Sequence, residues 1–316
     1  MLYVNKNGKD LSKIVLGTAD LGAVVSKQDS FRLMDAYFEK GGNAFDTGRV
    51  YCDWIEGGAN QSESTLGEWV KSRGVRDRVW IATKGGHPLI DTVIPRLSDA
   101  ELTFDIEMSL KYLQTEQVDI YYLHRDDPKK DVSEIMPILH RFVKEGKTRY
   151  IGASNWTAAR IEEANAFAEE NGLTKFSFSE IMWSYAKVNK DGERDKTLVI
   201  MDENEYGRYL KNDLILMPFS SQAQGFYTVA TEKGVDALPP HIKAKYVNET
   251  NLRRLEKVAA ISRETGISPT AVGLNHLLRN QSVAVTPIVG GWDINFLNDS
   301  LRSLELDEKY FAALRD

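Results

Sequence analysis

Short apolar runs that are rich in β-branched and aromatic residues recur along the chain, separated by stretches long enough to hold a helix. Eight runs can be distinguished, with a mean spacing of about 38 residues. They begin at Ile14, Asn43, Val79, Val118, Thr148, Phe176, Leu214 and Val283. Strands that alternate with helix-length segments are typical of parallel βα units.

The segments between these runs carry helix signals. Ser98 and Glu101 have the spacing of a capping box, and Leu102, Ile106 and Leu110 follow at helical intervals. At Ser268-Pro269 a capping residue precedes a proline in the position that favours the first turn of a helix.

Eight strands with intervening helices, and no Gly/Ser-rich linker, predict an α/β protein with one domain over residues 1–316. The expected architecture is a single (β/α)8 TIM barrel with long loops at its C-terminal face. A doubly wound sheet is the alternative. That fold is expected to show a Gly-x-Gly-x-x-Gly turn after the first strand, which the segment 16–22 does not match.

Three segments stand outside the repeating unit. Asn7-Gly8 lies between short apolar stretches and predicts a hairpin that closes the bottom of the barrel. Residues 186–200 are rich in charge and predict a solvated loop, and residues 222–250 contain Pro239-Pro240 and little periodicity. Because both follow predicted strands, we expect two long loops at the barrel mouth, as substrate-binding or lid elements or else as tolerated insertions.

Composition narrows the class of protein. Hydrophobic residues make up 42% and charged residues 27% of the chain, as in soluble globular proteins. The net charge is −6 and no basic cluster is present, which argues against nucleic acid as a partner. The single cysteine, the absence of a signal-peptide pattern and the lack of a long apolar run predict a cytoplasmic protein without a membrane segment. The sequence predicts no particular oligomeric state.

Four chemically active residue types fall where predicted strands end. Asp46, Lys84 and His124 close three of the runs, and Tyr51 follows Asp46 by five residues. Each alone has an ordinary explanation, such as a helix cap, a surface lysine, a loop hydrogen bond or packing at the rim. Together they suit carbonyl reduction. An ammonium lowers the pKa of a nearby phenol, a carboxylate holds the ammonium, and an imidazole orients a carbonyl oxygen.

Four segments resemble the signature segments of the aldo-keto reductase superfamily, and the chain resembles a bacterial-type member from Leu16 to the helix after Gly290. The segments are 45–51, 81–84, 121–124 and 151–155. The resemblance implies that Tyr51 is the general acid/base, that Lys84 and Asp46 tune it, and that His124 positions the substrate carbonyl. It also implies hydride exchange with NADP(H) or NAD(H).

The resemblance assigns residues to the cofactor as well. Ser154 and Asn155 are expected at the nicotinamide carboxamide, and Phe219 is expected to stack on the nicotinamide ring or else to pack in the core. The full set implied for cofactor binding is Gly17, Thr18, Ser154, Asn155, Glu180, Phe219, Ser220, Gln222, Gly225, Gly290, Gly291 and Asp293.

Two positions depart from the pattern of the superfamily. Glu180 stands where a glutamine usually meets the carboxamide, and an ionised carboxylate accepts a hydrogen bond but cannot donate one. The segment 290–300 has no Lys or Arg for a 2′-phosphate, and Asp293 adds negative charge there. We therefore expect weakened selectivity, with NAD(H) usable, unless Arg302 or Lys233 reaches the phosphate.

The substrate is expected to be a small carbonyl compound: an aldehyde, a ketone or a sugar. Trp54, Trp183 and Tyr185 suggest an aromatic mouth, although Trp183 could equally pack at the rim. His87 and Asp91 lack metal-ligand spacing, and no metal site is predicted. Two other functions remain open: a lyase that uses Lys84 as a Schiff-base nucleophile, and a regulatory subunit that senses cofactor redox state.

Overall fold

The strands of the protein form one N-terminal hairpin and one parallel sheet. The computed structural model describes residues 1–89 and 93–315, so Asp91 lies outside the described residues. The strands are β1 Tyr3–Lys6, β2 Lys9–Ser12, β3 Val15–Gly17, β4 Ala44–Asp46, β5 Trp80–Gly85, β6 Val118–Leu123, β7 Thr148–Ser154, β8 Phe178–Glu180, β9 Ile215–Leu216, β10 Ala284–Val285 and β11 Ile288–Val289.

The parallel sheet closes on itself. Strands β3 to β9 pair in chain order, β10 pairs with β9, and β11 pairs with β3. β10 and β11 are consecutive parts of one extended segment, interrupted at Thr286-Pro287, where proline lacks a backbone N–H. The Pro287 carbonyl still accepts from the Val15 N–H at 3.0 Å. The predicted eight-stranded (β/α)8 barrel is therefore confirmed.

Helices follow the strands around the outside of the barrel. They are α1 Lys27–Glu39, α2 Gln61–Arg73, α3 Asp99–Leu113, α4 Val132–Lys144, α5 Ala158–Glu170, α6 Glu203–Tyr209, α7 Phe226–Lys233, α8 Pro240–Tyr246, α9 Glu249–Thr265, α10 Pro269–Leu278, α11 Ile294–Arg302 and α12 Glu308–Leu314. The predicted capping box at Ser98 and Glu101 is present, and Ser268 caps α10. In the described part of the chain, no helix is long and apolar enough to cross a membrane.

The predicted hairpin closes the end of the barrel opposite the candidate site. Its turn places Asn7 and Gly8 at φ values of 51° and 86°, the left-handed geometry that two-residue hairpin turns need. Leu11 is fully buried among side chains of the barrel interior. The Trp80 indole donates to the Asp10 carbonyl at 2.9 Å, which fastens the hairpin to the start of β5.

The prediction of a loop over residues 222–250 is wrong. This segment contains α7, α8 and the start of α9, and it packs in a second hydrophobic cluster that includes Phe226 and Ile242. α7 has 8 residues and α8 has 7, too few for a helical period to emerge in a window of about 11 residues. Pro240 is the first residue of α8, so the proline pair begins a helix. Residues 186–200 do form a loop, with one short 3-10 helix at Lys190–Gly192.

Candidate active site

The C-terminal ends of the barrel strands bring the predicted polar residues to one mouth. Asp46 ends β4, Lys84 lies near the end of β5, and Glu180 ends β8. All three side chains are nearly or completely buried. Tyr51 comes from the turn after β4, which is held in place because the Arg49 N–H donates to the Lys84 carbonyl at 3.0 Å.

Lys84 is the centre of this cluster. Its Nζ donates to Asp46 Oδ1 at 2.5 Å, to the Thr47 carbonyl at 2.9 Å and to the Tyr51 hydroxyl oxygen at 2.9 Å. Glu180 Oε2 lies 3.3 Å from the same nitrogen. The structure thus brings Asp46, Tyr51 and Lys84 into direct contact, and adds Glu180 to them.

His124 completes the predicted set of four. Its ring lies edge-on to the Tyr51 ring, with centroids 5.7 Å apart. Burial, followed by the positive charge of Arg125 and by His87 and Lys84, lowers the pKa of His124 well below its usual value. A neutral imidazole can donate a hydrogen bond to a carbonyl oxygen without carrying a charge.

The pKa of Tyr51 is shifted in the opposite direction to the one expected from the neighbouring residue types. Burial raises the pKa of Tyr51, Lys84 opposes the rise, and the charges of Asp46 and Glu180 add to it. The ammonium therefore lowers the phenol pKa as one contribution among several, but the net direction is upward. The sequence shows a lysine partner but not the loss of solvent, and here burial has the larger effect.

Lys84 stays charged in spite of its burial. Loss of solvent alone would lower the pKa of Lys84, but Asp46, Glu180 and Tyr51 together raise it above the ordinary value. Burial also raises the pKa of Asp46, against the attraction of Lys84. For Glu180, burial and the neighbouring Asp46 charge raise the pKa to about 8.

His87, which the sequence analysis considered only as a metal ligand, also frames the site. The His87 ring lies 4.6 Å from the His124 ring, between centroids, and His87 Nδ1 lies 2.6 Å from the Pro88 carbonyl oxygen. Because a carbonyl only accepts, this contact assigns the ring hydrogen to Nδ1 and leaves Nε2 as an acceptor. The sequence signal that could have placed His87 at the site is its position three residues after Lys84.

The 186–200 loop is fastened to the mouth of the barrel. Arg125 donates to the His124 carbonyl at 2.9 Å, to Thr197 Oγ1 at 3.0 Å and to Asp195 Oδ2 at 3.2 Å. The Val199 N–H donates to Asn155 Oδ1 at 3.3 Å. This loop therefore forms part of the wall of the site.

The predicted nicotinamide-side residues lie at strand ends but make contacts within the protein. Asn155 Nδ2 donates to Ser154 Oγ at 3.1 Å and to the His124 carbonyl at 3.4 Å. Thr18 Oγ1 donates to the Asp46 carbonyl at 2.9 Å, and its side chain is fully buried. Gly17 packs closely against the last strand, since an added Cβ would lie 3.0 Å from Ile288. Their roles toward a cofactor stay predictions.

The loop between Phe219 and α7 has a backbone suited to an anion. Ser220, Ala223 and Gln224 have φ near 50° and Gly225 has φ of 78°, so left-handed residues recur directly before the N-terminus of α7. Such turns leave N–H groups facing a concave surface that binds phosphates. A Cβ added at Gly225 or at Gly290 would meet no atom of the described residues within 4 Å, which leaves room for a ligand. This donor set fits a dinucleotide pyrophosphate.

The remaining predicted cofactor residues lie around α11. Gln222 Nε2 donates to Ser300 Oγ at 2.8 Å, which ties the loop before α7 to this helix. Asp293 caps α11 and accepts from the N–H groups of Asn295 at 2.7 Å and Phe296 at 3.1 Å. Gly290 and Gly291 precede this cap. Arg302 donates to the Gly266 carbonyl at 2.8 Å, so this candidate for a 2′-phosphate already has a partner.

The aromatic residues predicted at the mouth separate into three environments. Trp54 is 52% exposed and lies 6.2 Å from the Tyr51 ring, at the opening of the site. Trp183 is half-buried and packs on Tyr206 with centroids 5.6 Å apart. Tyr185 is 1% exposed and donates to the Leu314 carbonyl, so its expected place at the mouth is wrong. It follows strand β8 but turns into the second hydrophobic cluster.

A cavity of about 390 Å³ opens beside Lys84, between the turn after β4 and the segment after β5. Its lining combines apolar side chains such as Val50 and Phe104 with the basic Arg49 and Arg96 and the acidic Asp53 and Asp105. Among residues 1–89 and 93–315, no group of three or more His, Cys, Asp or Glu side chains is arranged to hold a metal ion.

Comparison with known proteins identifies the family. The model of the "Aldo/keto reductase family" matches residues 13–316. A putative aryl-alcohol dehydrogenase of Saccharomyces cerevisiae is 28% identical over 95% of this chain and 80% of its own length. A norsolorinic acid reductase and an aldo-keto reductase of Emericella nidulans are 29% and 31% identical, over 98% and 92% of this chain and 79% and 71% of their own lengths. These relatives are fungal and give no support to the expected bacterial-type assignment. The chain, with its closed barrel and its Asp46–Lys84–Tyr51 cluster, belongs to the aldo/keto reductase family.

Proposed function

We propose that the protein is an NAD(P)(H)-dependent oxidoreductase that reduces an aldehyde, ketone or sugar carbonyl, or oxidises the corresponding alcohol. The observation that carries this proposal is the chain of contacts from Asp46 through Lys84 to the Tyr51 hydroxyl, with His124 beside it. In this arrangement Tyr51 is a proton donor, the Lys84 charge stabilises the conjugate base of Tyr51, and His124 is a neutral hydrogen-bond donor. All three surround the position proposed for the substrate carbonyl.

Ser154, Asn155 and Phe219 would hold a nicotinamide, which would supply or accept the hydride. Tyr51 gives its hydroxyl proton to the substrate oxygen as that oxygen gains negative charge, and the Lys84 ammonium, 2.9 Å away, stabilises the phenolate that remains. Asp46 holds Lys84 in position, and His124 donates a hydrogen bond to the carbonyl oxygen. Because Asp46 and Lys84 are shielded from water, these interactions are stronger than they are at a surface.

The substrate class within this proposal is an aromatic aldehyde and its alcohol. Trp54 is exposed at the mouth within ring-contact distance of Tyr51, which gives a flat ring a surface to stack on. The apolar side of the neighbouring cavity offers further contact area. The names of two of the relatives, an aryl-alcohol dehydrogenase and a norsolorinic acid reductase, also belong to enzymes of aromatic compounds.

We also propose that NAD(H) serves as a cofactor with efficiency comparable to that of NADP(H). The Asp293 carboxylate lies at the start of α11, where the predicted 2′-phosphate site is, and would repel a phosphate. Arg302, one of the two basic candidates, is bonded to Gly266. The other candidate, Lys233, is the last residue of α7. The loop proposed to bind the pyrophosphate precedes the first residue of that helix.

The Schiff-base alternative requires a neutral amine at Lys84. All three Nζ donors of Lys84 are engaged, and the carboxylates around it raise its pKa, so the amine has no free lone pair. This geometry favours an electrostatic role for Lys84 over a nucleophilic one.

The test is a screen of aldehydes, ketones and sugars followed at 340 nm with NADH and with NADPH, together with the Tyr51→Phe variant. We expect multiple turnovers in the wild type and a loss of about 10²- to 10⁴-fold in kcat for Tyr51→Phe. Cofactor Kd, measured by fluorescence quenching, should be the same in both proteins, because the phenol contacts substrate. A single hydride transfer without turnover would indicate a redox sensor instead. Equal activity of the variant would remove Tyr51 from the mechanism.

A further inference from the structure

Glu180 is the acidic side chain of the Lys84 cluster that this scheme of proton transfer does not use. It ends β8, where its carbonyl accepts from the Asn155 N–H at 2.9 Å, and its side chain is 2% exposed. Its Oε2 lies 3.3 Å from Lys84 Nζ but makes no hydrogen bond with any group in the described part of the chain.

The donor count of Lys84 explains this unsatisfied oxygen. An ammonium has three N–H groups, and those of Lys84 go to Asp46, the Thr47 carbonyl and Tyr51. Glu180 is therefore a fourth acceptor for three donors, and it lies at the longest distance, 3.3 Å. A buried carboxylate oxygen that has a distant cation but no well-placed hydrogen bond is poorly stabilised in the charged form of the group.

The other groups around Glu180 also bear on its charge. Asp46 carries like charge and contacts the Glu180 side chain, Tyr122 is a phenol whose pKa is raised by burial and then by Glu180, and Arg125 is a more distant cation. Asp46 has the shorter contact with Lys84, 2.5 Å against 3.3 Å for Glu180. When two carboxylates compete for one ammonium, the carboxylate with the closer hydrogen bond keeps its charge and the other takes the proton.

We propose that Glu180 is a positioning residue for proton transfer: it is protonated in the resting site and, through Lys84, controls how readily Tyr51 releases its own proton. The inference rests on the proposed function and extends it. With Glu180 neutral, proton transfer from Tyr51 to the substrate oxygen takes the cluster of Asp46, Lys84, Glu180 and Tyr51 from zero net charge to −1. With Glu180 ionised, the same O–H cleavage takes it from −1 to −2, which is less favourable in a buried site.

The size of the effect follows from the geometry. Because both groups contact Lys84 Nζ, at 2.9 and 3.3 Å, the nearer Glu180 oxygen lies at most about 6 Å from the Tyr51 oxygen. At about 6 Å, a negative charge in an effective dielectric of about 20 shifts the titration of a second acid by about two pH units. The shift is upward for Tyr51, because the two charges repel.

The decisive variant is Glu180→Gln, which keeps the shape and remains neutral at every pH. Tyr51 is titrated in the cofactor-free protein by NMR of ¹³Cζ-labelled tyrosine, with its signal assigned by Tyr51→Phe, and the pH profile of alcohol oxidation is measured in parallel. Since oxidation requires the phenolate, its rate rises with pH, and we expect the Tyr51 titration and this rising limb to move together to lower pH, by about two units. Glu180→Asp, which retains an acid, should return both toward the wild type.

A matched control is Glu205→Gln. Glu205 is another buried carboxyl, which accepts from the Ala158 N–H at 2.7 Å outside the Lys84 cluster, and its removal should leave both titrations unchanged. If Glu180 acts only on the nicotinamide, Glu180→Gln will change cofactor Kd while Tyr51 titration stays fixed, and the inference is overturned. Unchanged values for both also overturn it. Absence of turnover in the wild type would refute the proposed function, yet the NMR titration would still decide the role of Glu180.

Discussion

Replacing Lys84 with methionine tests the electrostatic account of the site most directly. Methionine has a similar length but no charge, so it removes the ammonium from Asp46, Glu180 and Tyr51 with little change in volume. All three are acids, and each loses the cation that its charged form depends on. The variant should therefore change both the titration of Tyr51 and the balance of charge in the core.

The magnitude follows from the 2.9 Å contact between Lys84 Nζ and the Tyr51 oxygen. In an effective dielectric of about 20, a pair of unit charges at that distance attracts by about 6 kcal/mol, equivalent to a shift of about four pH units. Part of this loss is recovered because Asp46 or Glu180 takes up a proton once the ammonium is gone. We therefore expect the Tyr51 titration to rise by about two to four pH units in Lys84→Met.

The assay is the pH dependence of kcat/KM for alcohol oxidation, which needs the phenolate. Because the rate rises with pH as the phenolate forms, this rising limb should move upward and out of the measurable range, with at least a hundredfold loss of activity near neutral pH, roughly 2.7 kcal/mol. Lys245→Met is the matched control, because Lys245 pairs with Glu193 outside the site, and its profile should not change. A limb that stays in place in Lys84→Met would show that the ammonium does not act on Tyr51.

Lys84→Met should also strengthen the effect of pH on stability. The pKa values of Asp46 and Glu180 are already raised in the folded wild type, and without the cation both acids bind protons still more tightly there, so folding is favoured at low pH and weakened as pH rises. We expect the Tm of the variant to fall between about pH 5 and pH 8, and to fall more steeply than that of the wild type. If the Tm values of the two proteins changed with pH in parallel over this range, the presence of two buried acids beside Lys84 would be contradicted.

Two further predictions concern His124 and Asp293. Because burial holds the pKa of His124 well below its usual value, the imidazole stays neutral and the kcat of carbonyl reduction should be flat between about pH 5 and 7; an acid limb near pH 6.5 would contradict this. Asp293→Asn keeps an α11 cap but removes the charge, so the ratio of kcat/KM for NADPH to that for NADH should rise above the wild-type value. A wild-type preference for NADP(H) above about a hundredfold would instead reveal a phosphate site elsewhere.

The barrel and its mouth could be predicted because the information is local. Each strand is a short apolar run, and barrel closure brings the residues at the run ends together, so Asp46, Lys84, His124 and Glu180 could be placed at one face without coordinates. Tyr185 and the 222–250 segment could not be placed this way. The direction of the Tyr185 side chain depends on packing against α7 and α9, and α7 and α8 are too short to show a helical period.

The pKa shifts in the site could not be predicted from the sequence, for a different reason. Residue types identify Lys84 as a neighbour of Tyr51, but the direction of the Tyr51 shift depends on how completely each group is removed from water. Glu180 lies 96 positions after Lys84, and its distance from the ammonium depends on how the intervening strands are registered. The presence of Glu180 in place of a glutamine therefore suggested a weaker cofactor contact, whereas the structure also places Glu180 beside Lys84.

The three donors of Lys84 connect these observations. Because they are shared among a carboxylate, a backbone carbonyl and a phenol, Lys84 has no lone pair for nucleophilic attack and no N–H left for Glu180. Without a lone pair on Lys84, the site favours proton transfer over nucleophilic attack. Without an N–H from Lys84, Glu180 stays neutral until the pH reaches about 8, the value to which burial and the Asp46 charge raise its pKa. Below that pH the cluster carries no net charge, and Tyr51 can donate its proton with the creation of a single buried negative charge. The same donor count thus accounts for the chemistry that the site excludes and for the pH range in which it should work best as a reductase.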